Sequence, residues 1–252
     1  MISPMDLTDK NVLIAGAGSN MGFEIVNQVV KLGAKVVLLD RHAEKIQEAV
    51  RQIQKMHHAS YYCFDIFNSN EIENEIKNIV SEQGSFHGFV FCAGIGAVRP
   101  LAQTRYNDME NLMNANCFSF VEMTRCLTKR NSFEHGGSIV AISSVSSVMG
   151  LKSKLAYSSS KAALNAAVRC IAAELANKGI RVNSILKGGT TDDKKIDYIR
   201  NIVDLNDDEI RRNQLLGETE PAEIAKLAAF LLSDSVKTLT GASIIVDSGY
   251  SL

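Results

Sequence analysis

Short apolar runs alternate with longer amphipathic stretches along the whole chain, and no other feature limits the possible folds as strongly. Runs that are apolar throughout are typical of parallel strands covered on both faces, and helices between them indicate right-handed crossover connections. The pattern therefore predicts an α/β fold with a doubly wound parallel sheet. The predicted strands are residues 11–15, 35–39, 61–64, 88–91, 138–143, 181–186 and 243–246, and the predicted helices are residues 23–32, 42–56, 69–83, 108–129, 157–176 and 223–232.

The length of 252 residues suits one large α/β domain, and no linker or change in composition divides the chain. Residues 1–252 are therefore predicted to form a single domain. The segment 188–216 departs from the alternation because it is polar and rich in charge. A long insertion after the carboxyl end of a strand usually covers a ligand crevice, so we predict a substrate-covering lid there. The alternative is a solvated surface excursion.

Composition excludes several classes of function. With Lys+Arg 27 against Asp+Glu 28 and no basic stripe, nucleic-acid binding is not expected. No apolar run approaches the roughly 20 residues of a bilayer span, and the first ten residues lack the pattern of a secretory signal. The five cysteines form no CxxC pair, and no His/Cys spacing suits zinc, so no metal site is expected. The cytoplasm is the simplest predicted location.

The turn Gly16-Ala17-Gly18-Ser19-Asn20-Met21-Gly22 joins the first strand directly to a helix. In a Rossmann-type sheet, such a junction directs backbone N–H groups and a helix N-terminus at a pyrophosphate. Asp40 closes the next strand, where an acid can reach an adenosine ribose. Either feature alone also occurs without a ligand, since glycine turns start many helices and Asp40 could be an ordinary strand-end residue. Together they predict dinucleotide binding to a Rossmann-type sheet of about seven strands with helices on both faces.

Asp40 also bears on the choice of dinucleotide. A carboxylate there can accept hydrogen bonds from both ribose hydroxyls and would repel a 2′-phosphate. Arg41 could attract a 2′-phosphate, or it could lie over the adenine face. Because the glycine turn holds no Arg or Lys, NAD(H) is favoured as the cofactor and NADP(H) is the alternative.

Tyr157 and Lys161 are four residues apart on a predicted helix, so their side chains lie on one face, one turn apart. A free phenol, with a pKa of about 10, is a poor base at neutral pH. An ammonium ~4 Å away in a medium of effective dielectric ~20 favours the phenolate by about 4 kcal/mol, before desolvation is subtracted. The pair is a candidate acid–base group. A Tyr and a Lys at this spacing also occur on ordinary helix surfaces.

These features occur together in the order found in the classical short-chain dehydrogenase/reductase family, which the chain resembles along nearly its whole length. The turn fits the first-strand motif of that family at Gly16 and Gly22, and Tyr157 with Lys161 fits its Tyr-x-x-x-Lys motif. Ser144 stands thirteen residues before Tyr157, the spacing of the family's catalytic serine. Further matches are Asp65 after the third strand, Cys92-Ala93-Gly94 in place of Asn-Ala-Gly, Asn116 in the long helix, Thr240-Gly241-Ala242, and Val246-Asp247-Ser248-Gly249-Tyr250.

The resemblance implies an NAD(P)-dependent oxidoreductase that interconverts a secondary alcohol and a carbonyl on a small to medium organic substrate by hydride transfer. Tyr157 would exchange a proton with the substrate oxygen, Lys161 would lower the pKa of Tyr157 and hold the nicotinamide ribose, and Ser144 would orient the carbonyl. Asn116 would support a water between Lys161 and bulk solvent. The residues implied in cofactor binding are Gly16, Ser19, Asn20, Met21, Gly22, Asp40, Arg41, Asp65, Ile66, Cys92, Ala93, Gly94, Tyr157, Lys161, Lys187, Gly188, Thr190 and Thr191.

Three positions depart from the family pattern. Asn20 replaces the second motif glycine, and Asn is the non-glycine residue that best tolerates a positive φ. Cys92 replaces an Asn that normally bonds neighbouring backbone, which is expected to weaken the sheet locally. Lys187 replaces the usual Pro before Gly188, beside the nicotinamide. Its ammonium would either face solvent or place positive charge near the cofactor phosphates or an acidic substrate.

Several activities fit the resemblance. A 3-oxoacyl-[acyl-carrier-protein] reductase is one candidate, because the C-terminal segments look like those of bacterial reductases of that type, but that role normally prefers NADPH. A sugar, polyol or hydroxysteroid dehydrogenase is equally compatible, since segments 95–103 and 145–155 contain no diagnostic charged clamp. A non-catalytic dinucleotide-binding sensor or scaffold is the alternative of another class. Intact Ser144, Tyr157 and Lys161 argue against it.

The predicted helix 157–176 carries small residues that would allow close helix–helix approach or packing against its own sheet. The family resemblance implies a homodimer or homotetramer through this helix and the one at 108–129, and a homotetramer is predicted. The expected partners are therefore a small-molecule alcohol or carbonyl and further copies of the chain. The small residues are Ala162, Ala163, Ala166, Ala167, Ala172 and Ala173.

Overall fold

The computed structural model describes residues 4–53, 59–129, 131–190 and 214–252. Their strands form one seven-stranded parallel sheet in the order β3-β2-β1-β4-β5-β6-β7, which confirms the predicted fold class. The strands are β1 (Asn11–Ala15), β2 (Lys35–Asp40), β3 (Ala59–Cys63), β4 (Phe86–Phe91), β5 (Phe133–Ser144), β6 (Arg181–Lys187) and β7 (Ser243–Val246). The described helices are α1 (Asn20–Lys31), α2 (Ala43–Ile53), α3 (Ile72–Gln83), α4 (Tyr106–Met113), α5 (Ser119–Leu127), α6 (Leu155–Leu175) and α7 (Pro221–Leu232).

The strand order reverses at β1, which pairs with both β2 and β4. Ligands of doubly wound folds bind outside the carboxyl ends of the strands at such a switch point. The register aligns these ends: Ala15 pairs with Leu39 and with Phe91, and Ser144 pairs with Lys187 farther along the sheet. The fold therefore gathers the predicted site residues along one edge, which we call the carboxyl edge.

Two apolar layers hold the helices against the sheet. On one face, buried side chains of α1, α2 and α7 pack on the strands, among them Ile25, Ile46 and Ile224. On the other face, α3, α5 and α6 pack on an aromatic group in which the Phe120 ring lies 5.4 Å from Phe91, centroid to centroid. Both faces of the central strands are covered, as their continuous apolar runs predict.

Most element bounds differ from the sequence predictions by a few residues, and three of these differences have a structural reason. The helix predicted over 108–129 is not continuous, because a π turn (Asn114–Phe118) separates α4 from α5. Strand β3 begins two residues and ends one residue earlier than predicted; it is an edge strand whose residues are half-buried or exposed, so apolar character is a weak guide there. Strand β5 begins at Phe133 because its pairing with β4 continues across a register shift. Among the described residues, no helix is long and apolar enough to cross a membrane.

Candidate active site

The first turns of α6 bring a phenol and an ammonium to the carboxyl edge. Tyr157 and Lys161 lie one turn apart on this helix, and the Lys161 Nζ is 6.0 Å from the centroid of the Tyr157 ring. The same Nζ donates a hydrogen bond to the Ile142 carbonyl of β5 at 2.9 Å. Lys161 is only 5% exposed, whereas Tyr157 is half-buried. The ammonium is therefore buried beneath a phenol that remains accessible.

Burial dominates the charge state of Lys161. Loss of water lowers its pKa from 10.5 to about 8; Cys92 and Cys117 oppose this shift electrostatically, and the charge of Lys187 adds to it. Because a pKa of about 8 still lies above neutrality, Lys161 is mostly cationic at pH 7. The site thus keeps a positive charge beneath the phenol at physiological pH.

Ser144 ends β5, and its neighbours fix its position. Its Oγ accepts a hydrogen bond from the Ser146 N–H at 3.2 Å, and its carbonyl accepts one from the Ser147 Oγ at 2.5 Å. Asn165 of α6 donates to the Ser147 Oγ at 2.8 Å. The backbone of Ser144 is therefore held through the helix that carries Tyr157 and Lys161, and its hydroxyl is held by Ser146.

Asn116 occupies the π turn, fully buried. Its Oδ1 accepts from the Ile95 N–H at 2.8 Å, and its Nδ2 donates to the Ile95 carbonyl and to the Ser160 Oγ, both at 2.9 Å. The Ser160 Oγ in turn donates to the Tyr157 carbonyl at 2.8 Å. A π turn widens a helix and re-aims a side chain, as is common at functional sites. Here it lets one amide hold the segment after β4 against α6.

The glycine turn is shaped by the absence of side chains. Gly16 has a φ of 82°, and a Cβ there would lie 2.6 Å from the Ala93 nitrogen. A Cβ on Gly22 would lie 2.1 Å from the Gly16 carbonyl oxygen. Ser19 caps α1, accepting from the Gly22 N–H at 3.0 Å, and leaves Asn20 and Met21 as the first helical residues. Because the helix already begins at Asn20, this position does not need the positive φ that Asn would tolerate.

Asp40, at the end of β2, turns its carboxylate toward this turn. Its two oxygens accept from the Gly18 N–H at 2.9 Å and from the His42 N–H at 3.0 Å. A Cβ on Gly18 would lie 3.1 Å from the carboxylate and 3.2 Å from the Lys45 Cβ. The middle glycine therefore makes room for the acid. Lys45, on the first turn of α2, is a neighbour that the sequence analysis did not identify.

Arg41 lies beside Asp65 and Phe67. Its guanidinium is 3.8 Å from the Asp65 carboxylate and 5.3 Å from the centroid of the Phe67 ring. Asp65 also accepts from the Phe67 N–H at 3.1 Å, and Ile66 between them is buried. Asp65, implied in cofactor binding by the family resemblance, thus also forms an ion pair with the neighbouring arginine.

Cys92 and Ala93 line the floor of the turn just after β4. The Cys92 N–H donates to the Ala15 carbonyl at 2.9 Å, and its Sγ lies 3.9 Å from the Ser19 Oγ. Pairing of β4 with β1 and β5 continues to Phe91, so the expected local weakening of the sheet is not observed. A Cβ on Gly94 would lie 2.6 Å from the Asn116 Oδ1, so this position also requires glycine.

Lys187 ends β6 and does not simply face solvent. It is half-buried, and its Nζ donates to the Oγ1 of the buried Thr190 at 3.3 Å. Gly188 approaches β7 so closely that a Cβ would lie 2.8 Å from the Asp247 Cβ. Thr191 and most of the predicted lid lie outside the described residues. The lid's described ends meet where Gln214 donates to the Gly189 carbonyl at 2.9 Å.

Comparisons with known proteins agree with this geometry. A family model described as enoyl-(acyl carrier protein) reductase matches residues 16–251. A cyclopentanol dehydrogenase of Comamonas sp. (strain NCIMB 9872) is 27% identical over 252 residues, covering 97% of this chain and 98% of that protein. An L-xylulose reductase of Caenorhabditis elegans is 28% identical over 248 residues, covering 98% and 97%. The structure of a short-chain type dehydrogenase/reductase from Mycobacterium ulcerans superposes with a TM-score of 0.87 at 27% identity, covering 97% and 90%.

The chain belongs to the short-chain dehydrogenase/reductase family. Membership makes it an NAD(P)-dependent oxidoreductase that interconverts secondary alcohols and carbonyls. The predicted enzyme class is confirmed.

Beyond the family motifs, the structure adds residues that the sequence analysis missed. The Lys154 Nζ lies 5.6 Å from the centroid of the Tyr157 ring, so a second cation borders the phenol. In the sequence, only its position three residues before Tyr157 indicates that Lys154 lies close to this ring. Ser147, Ser160 and Asn165 act through hydrogen bonds to the predicted catalytic residues, and no motif marks them.

A further group of possible metal ligands lies between α3 and α5. Among the described residues, ligand atoms of Glu73, Glu122 and Cys126 lie within 4.8 Å of one another. Arg125 ion-pairs with both carboxylates, at 2.8 Å and 2.6 Å, and Lys129 pairs with Glu73 at 2.8 Å. These cations already supply the positive charge that a metal would bring, so we assign the group to a surface ion-pair network.

Proposed function

We propose that this enzyme is an NAD(H)-dependent dehydrogenase/reductase in which Tyr157 is the proton donor and acceptor, Lys161 its electrostatic partner and Ser144 the group that orients the substrate oxygen. The observation that supports this best is the placement of a buried, mostly cationic Lys161 beneath an accessible phenol. A cation so placed favours the phenolate and eases proton transfer at neutral pH.

The roles of the two hydroxyls follow from their surroundings. During reduction, the Tyr157 hydroxyl donates its proton to the substrate oxygen, and during oxidation the phenolate accepts it. The Ser144 Oγ accepts from the Ser146 N–H and donates to the Ser146 Oγ at 3.1 Å; its proton turns to the substrate oxygen and stabilises the developing negative charge there. Ser147, itself bonded by Asn165, holds the Ser144 carbonyl, so the reaction requires rotation of the hydroxyl and not movement of the backbone.

The glycine turn fits a dinucleotide. A Cβ on Gly16 or Gly22 would collide with backbone and one on Gly18 would crowd the Asp40 carboxylate; the space they leave lies before the N-terminus of α1, which favours phosphate. Ser19, Asn20 and Met21 would flank the pyrophosphate, and the segments Asp65–Ile66, Cys92–Gly94 and Lys187–Thr190 would border the remainder. When bound, the cofactor supplies or accepts the hydride.

The preference for NAD(H) rests on the surroundings of Asp40. Both of its oxygens accept backbone N–H bonds, which fixes a negative charge beside the turn. Arg41, the cation that would otherwise attract a 2′-phosphate, contacts Asp65 and Phe67 instead. This arrangement disfavours a 3-oxoacyl-[acyl-carrier-protein] reductase that uses NADPH.

The remaining features of the proposal concern assembly and setting. The helix α4 and the π turn pack against α6, and Tyr106, Phe118 and Val121 on and between α4 and α5 are exposed apolar side chains, which supports a homotetramer through these helices. We retain one domain over residues 1–252, since β1 and β7 share a sheet, and a lid at 188–216, since its described ends join at the carboxyl edge. Five free cysteines suit the cytoplasm.

The test replaces Tyr157 by Phe, which removes only the hydroxyl. Turnover should fall about a thousandfold, because the general acid–base group is lost, while NADH binding is largely kept. Rates are measured with NADH and NADPH over a panel of alcohols and ketones that begins with cyclopentanol and L-xylulose. The matched control is Tyr61→Phe, which removes the hydroxyl of an exposed tyrosine on β3. Near-normal turnover by the Tyr157 variant would contradict the proposed mechanism.

A further inference from the structure

Positive charge is concentrated in the segments that border the catalytic residues. Over the whole chain, acids and bases nearly cancel, at 28 and 27. Between residues 135 and 191, however, Glu174 is the only acid, and it stands seventeen residues beyond Tyr157 in the chain, roughly 25 Å along the helix. The bases of the same segment are Lys152, Lys154, Lys161, Arg169, Lys178, Arg181 and Lys187.

Among these cations, Lys187 is built into the sheet beside the reaction centre. It is the last residue of β6, and its Cα pairs with that of Ser144 on β5. Neighbouring strands are about 4.8 Å apart, and paired residues project on the same side, so the side chain of Lys187 begins next to that of Ser144. Its Nζ contacts the buried Thr190 Oγ1, and its charge is felt at Lys161. The ammonium is therefore at the carboxyl edge.

Within the described part of the chain, the other charged groups near this point have contacts of their own, as Lys187 does with Thr190. The Arg99 guanidinium ion-pairs with Asp108 at 3.1 Å. The Lys154 Nζ lies over the ring of Tyr157, and the Lys161 Nζ donates to the Ile142 carbonyl. Asp247, next to the β7 partner of Lys187, accepts from the Gly249 N–H at 3.0 Å and the Ser251 N–H at 2.8 Å. Among the described residues, three cations, Lys154, Lys161 and Lys187, therefore stand against the acid Asp247 around Ser144 and Tyr157.

We propose that the substrate carries a carboxylate close to its reacting carbon and that Lys187 is the specificity-determining residue that binds this group. An oxygen held by Ser144 and Tyr157 places a carboxylate two or three bonds away within reach of the neighbouring strand end. A lysine acts as a point charge and suits a single carboxylate oxygen. A crevice lined by one sign of charge also draws in substrates of the opposite sign. The chemical class is a 2-oxo or 3-oxo acid and its hydroxy acid.

This inference rests on the proposed function, and its first test compares substrates that differ in one charge. The substrate pairs are pyruvate with methyl pyruvate and acetoacetate with methyl acetoacetate, each with NADH. We expect kcat/KM for the better acid to exceed that of its ester at least tenfold. In Lys187→Met, which keeps the length of the side chain, the acid-to-ester ratio should fall about tenfold. Lys187→Arg should retain most of the preference.

The control is Lys226→Met, which makes the same change in net charge on the exposed face of α7 and should leave the ratio within twofold. If the esters are reduced as well as the acids, the inference is wrong while the proposed function stands. An equal fall for acid and ester in Lys187→Met, with the ratio unchanged, would likewise overturn the role of Lys187.

A second test needs no turnover. Calorimetric titration of the enzyme–NADH complex with malonate and with malonamide compares an anion and a neutral molecule of similar shape. We expect malonate to bind at least tenfold more tightly than malonamide to the wild type, and this difference to be lost in Lys187→Met. Equal binding of the two by the wild type would refute the anion site, whatever the fate of the catalytic proposal.

Discussion

The ligand crevice at the carboxyl edge has a dinucleotide half around the glycine turn and a catalytic half around Ser144, Tyr157 and Lys161. Different physical factors determine the structures of these two halves. In the dinucleotide half, the glycine turn and the end of β2 owe their shape to missing side chains, since a Cβ on Gly16 or Gly22 would collide with backbone. In the catalytic half, the decisive quantity is charge: Lys161 is buried, the charge of Lys187 lowers its pKa, and Lys154 lies over the ring of Tyr157. Lack of space should make the dinucleotide half intolerant of added side-chain atoms at any pH. The contribution of the catalytic half to stability should instead depend on pH. Each prediction below tests this contrast.

The largest effect is expected for Gly22→Ala. The added methyl carbon would lie 2.1 Å from the Gly16 carbonyl oxygen, which forces the turn and α1 apart. Overpacking against backbone costs about 3 kcal/mol, which corresponds to a fall in Tm of at least ~6 °C for a domain of this size. NADH binding should weaken by about a hundredfold or more. Tm and the Kd for NADH, by calorimetry, are the measurements.

The matched control is Gly96→Ala, since nothing lies within 4 Å of a Cβ at that position. Its Tm should stay within about 2 °C of the wild type, the size expected of a surface substitution. If Gly22→Ala kept the wild-type Tm and the wild-type affinity for NADH, the turn would have to accommodate the added methyl group at little cost in free energy. The contrast between a half fixed by space and a half fixed by charge would then fail.

The same contrast explains what the sequence could reveal. Glycines at positions that exclude a Cβ leave a local sequence pattern. Gly16 and Gly22 could be recognised from the sequence, together with Asp40, because they stand between a predicted strand and a predicted helix. Tyr157 and Lys161 were readable because both lie on one helix. The apolar runs marked the strands, and the bounds of β1 and β7 match the prediction residue for residue.

Contacts between segments that are distant in the chain could not be predicted from the sequence. Arg41 with Phe67, and Lys187 beside Ser144, come together only through the order of the strands. The π turn at Asn116 has no compositional signal, since its residues suit an ordinary helix, and a single i→i+5 bond from Ser119 decides it. The sequence therefore identified the reacting groups and, through the family resemblance, Lys187, but not the position of Lys154 over the Tyr157 ring or the contacts of Arg41.

The second prediction concerns Lys161→Met, which replaces the buried ammonium by an apolar chain of similar length. The pKa of Lys161 is about 8 in the folded enzyme and about 10.4 in an unfolded chain, so below pH 8 its protonated form costs about 3 kcal/mol of stability. Loss of the hydrogen bond to Ile142 offsets about 1 kcal/mol of the gain. At pH 7 the inactive variant should therefore unfold at a higher Tm than the wild type.

The sign of the pH dependence is fixed by the proton count. Between pH 8 and about 10.4 the unfolded chain binds one proton more than the folded enzyme at this residue, so wild-type stability rises with pH relative to the variant. The advantage of Lys161→Met should be full at pH 7 and gone near pH 10. Urea unfolding of both proteins over pH 6.5–10 is the measurement. A difference in stability that does not change with pH would show that Lys161 is not buried as a charge.

The smallest effect is expected where the two halves overlap, at Asp40, which lies in the dinucleotide half but is proposed to act by charge. Asp40→Asn keeps the shape of the side chain and an acceptor for the Gly18 N–H while removing the negative charge. If charge excludes the 2′-phosphate, the ratio of the Kd for NADPH to that for NADH should fall about tenfold, or ~1.4 kcal/mol. A complete reversal is not expected, because Arg41 remains held by Asp65 and Phe67. If the ratio is unchanged in Asp40→Asn but falls in Asp40→Ala, then Asp40 selects the cofactor by shape, and the dinucleotide half is governed by space throughout.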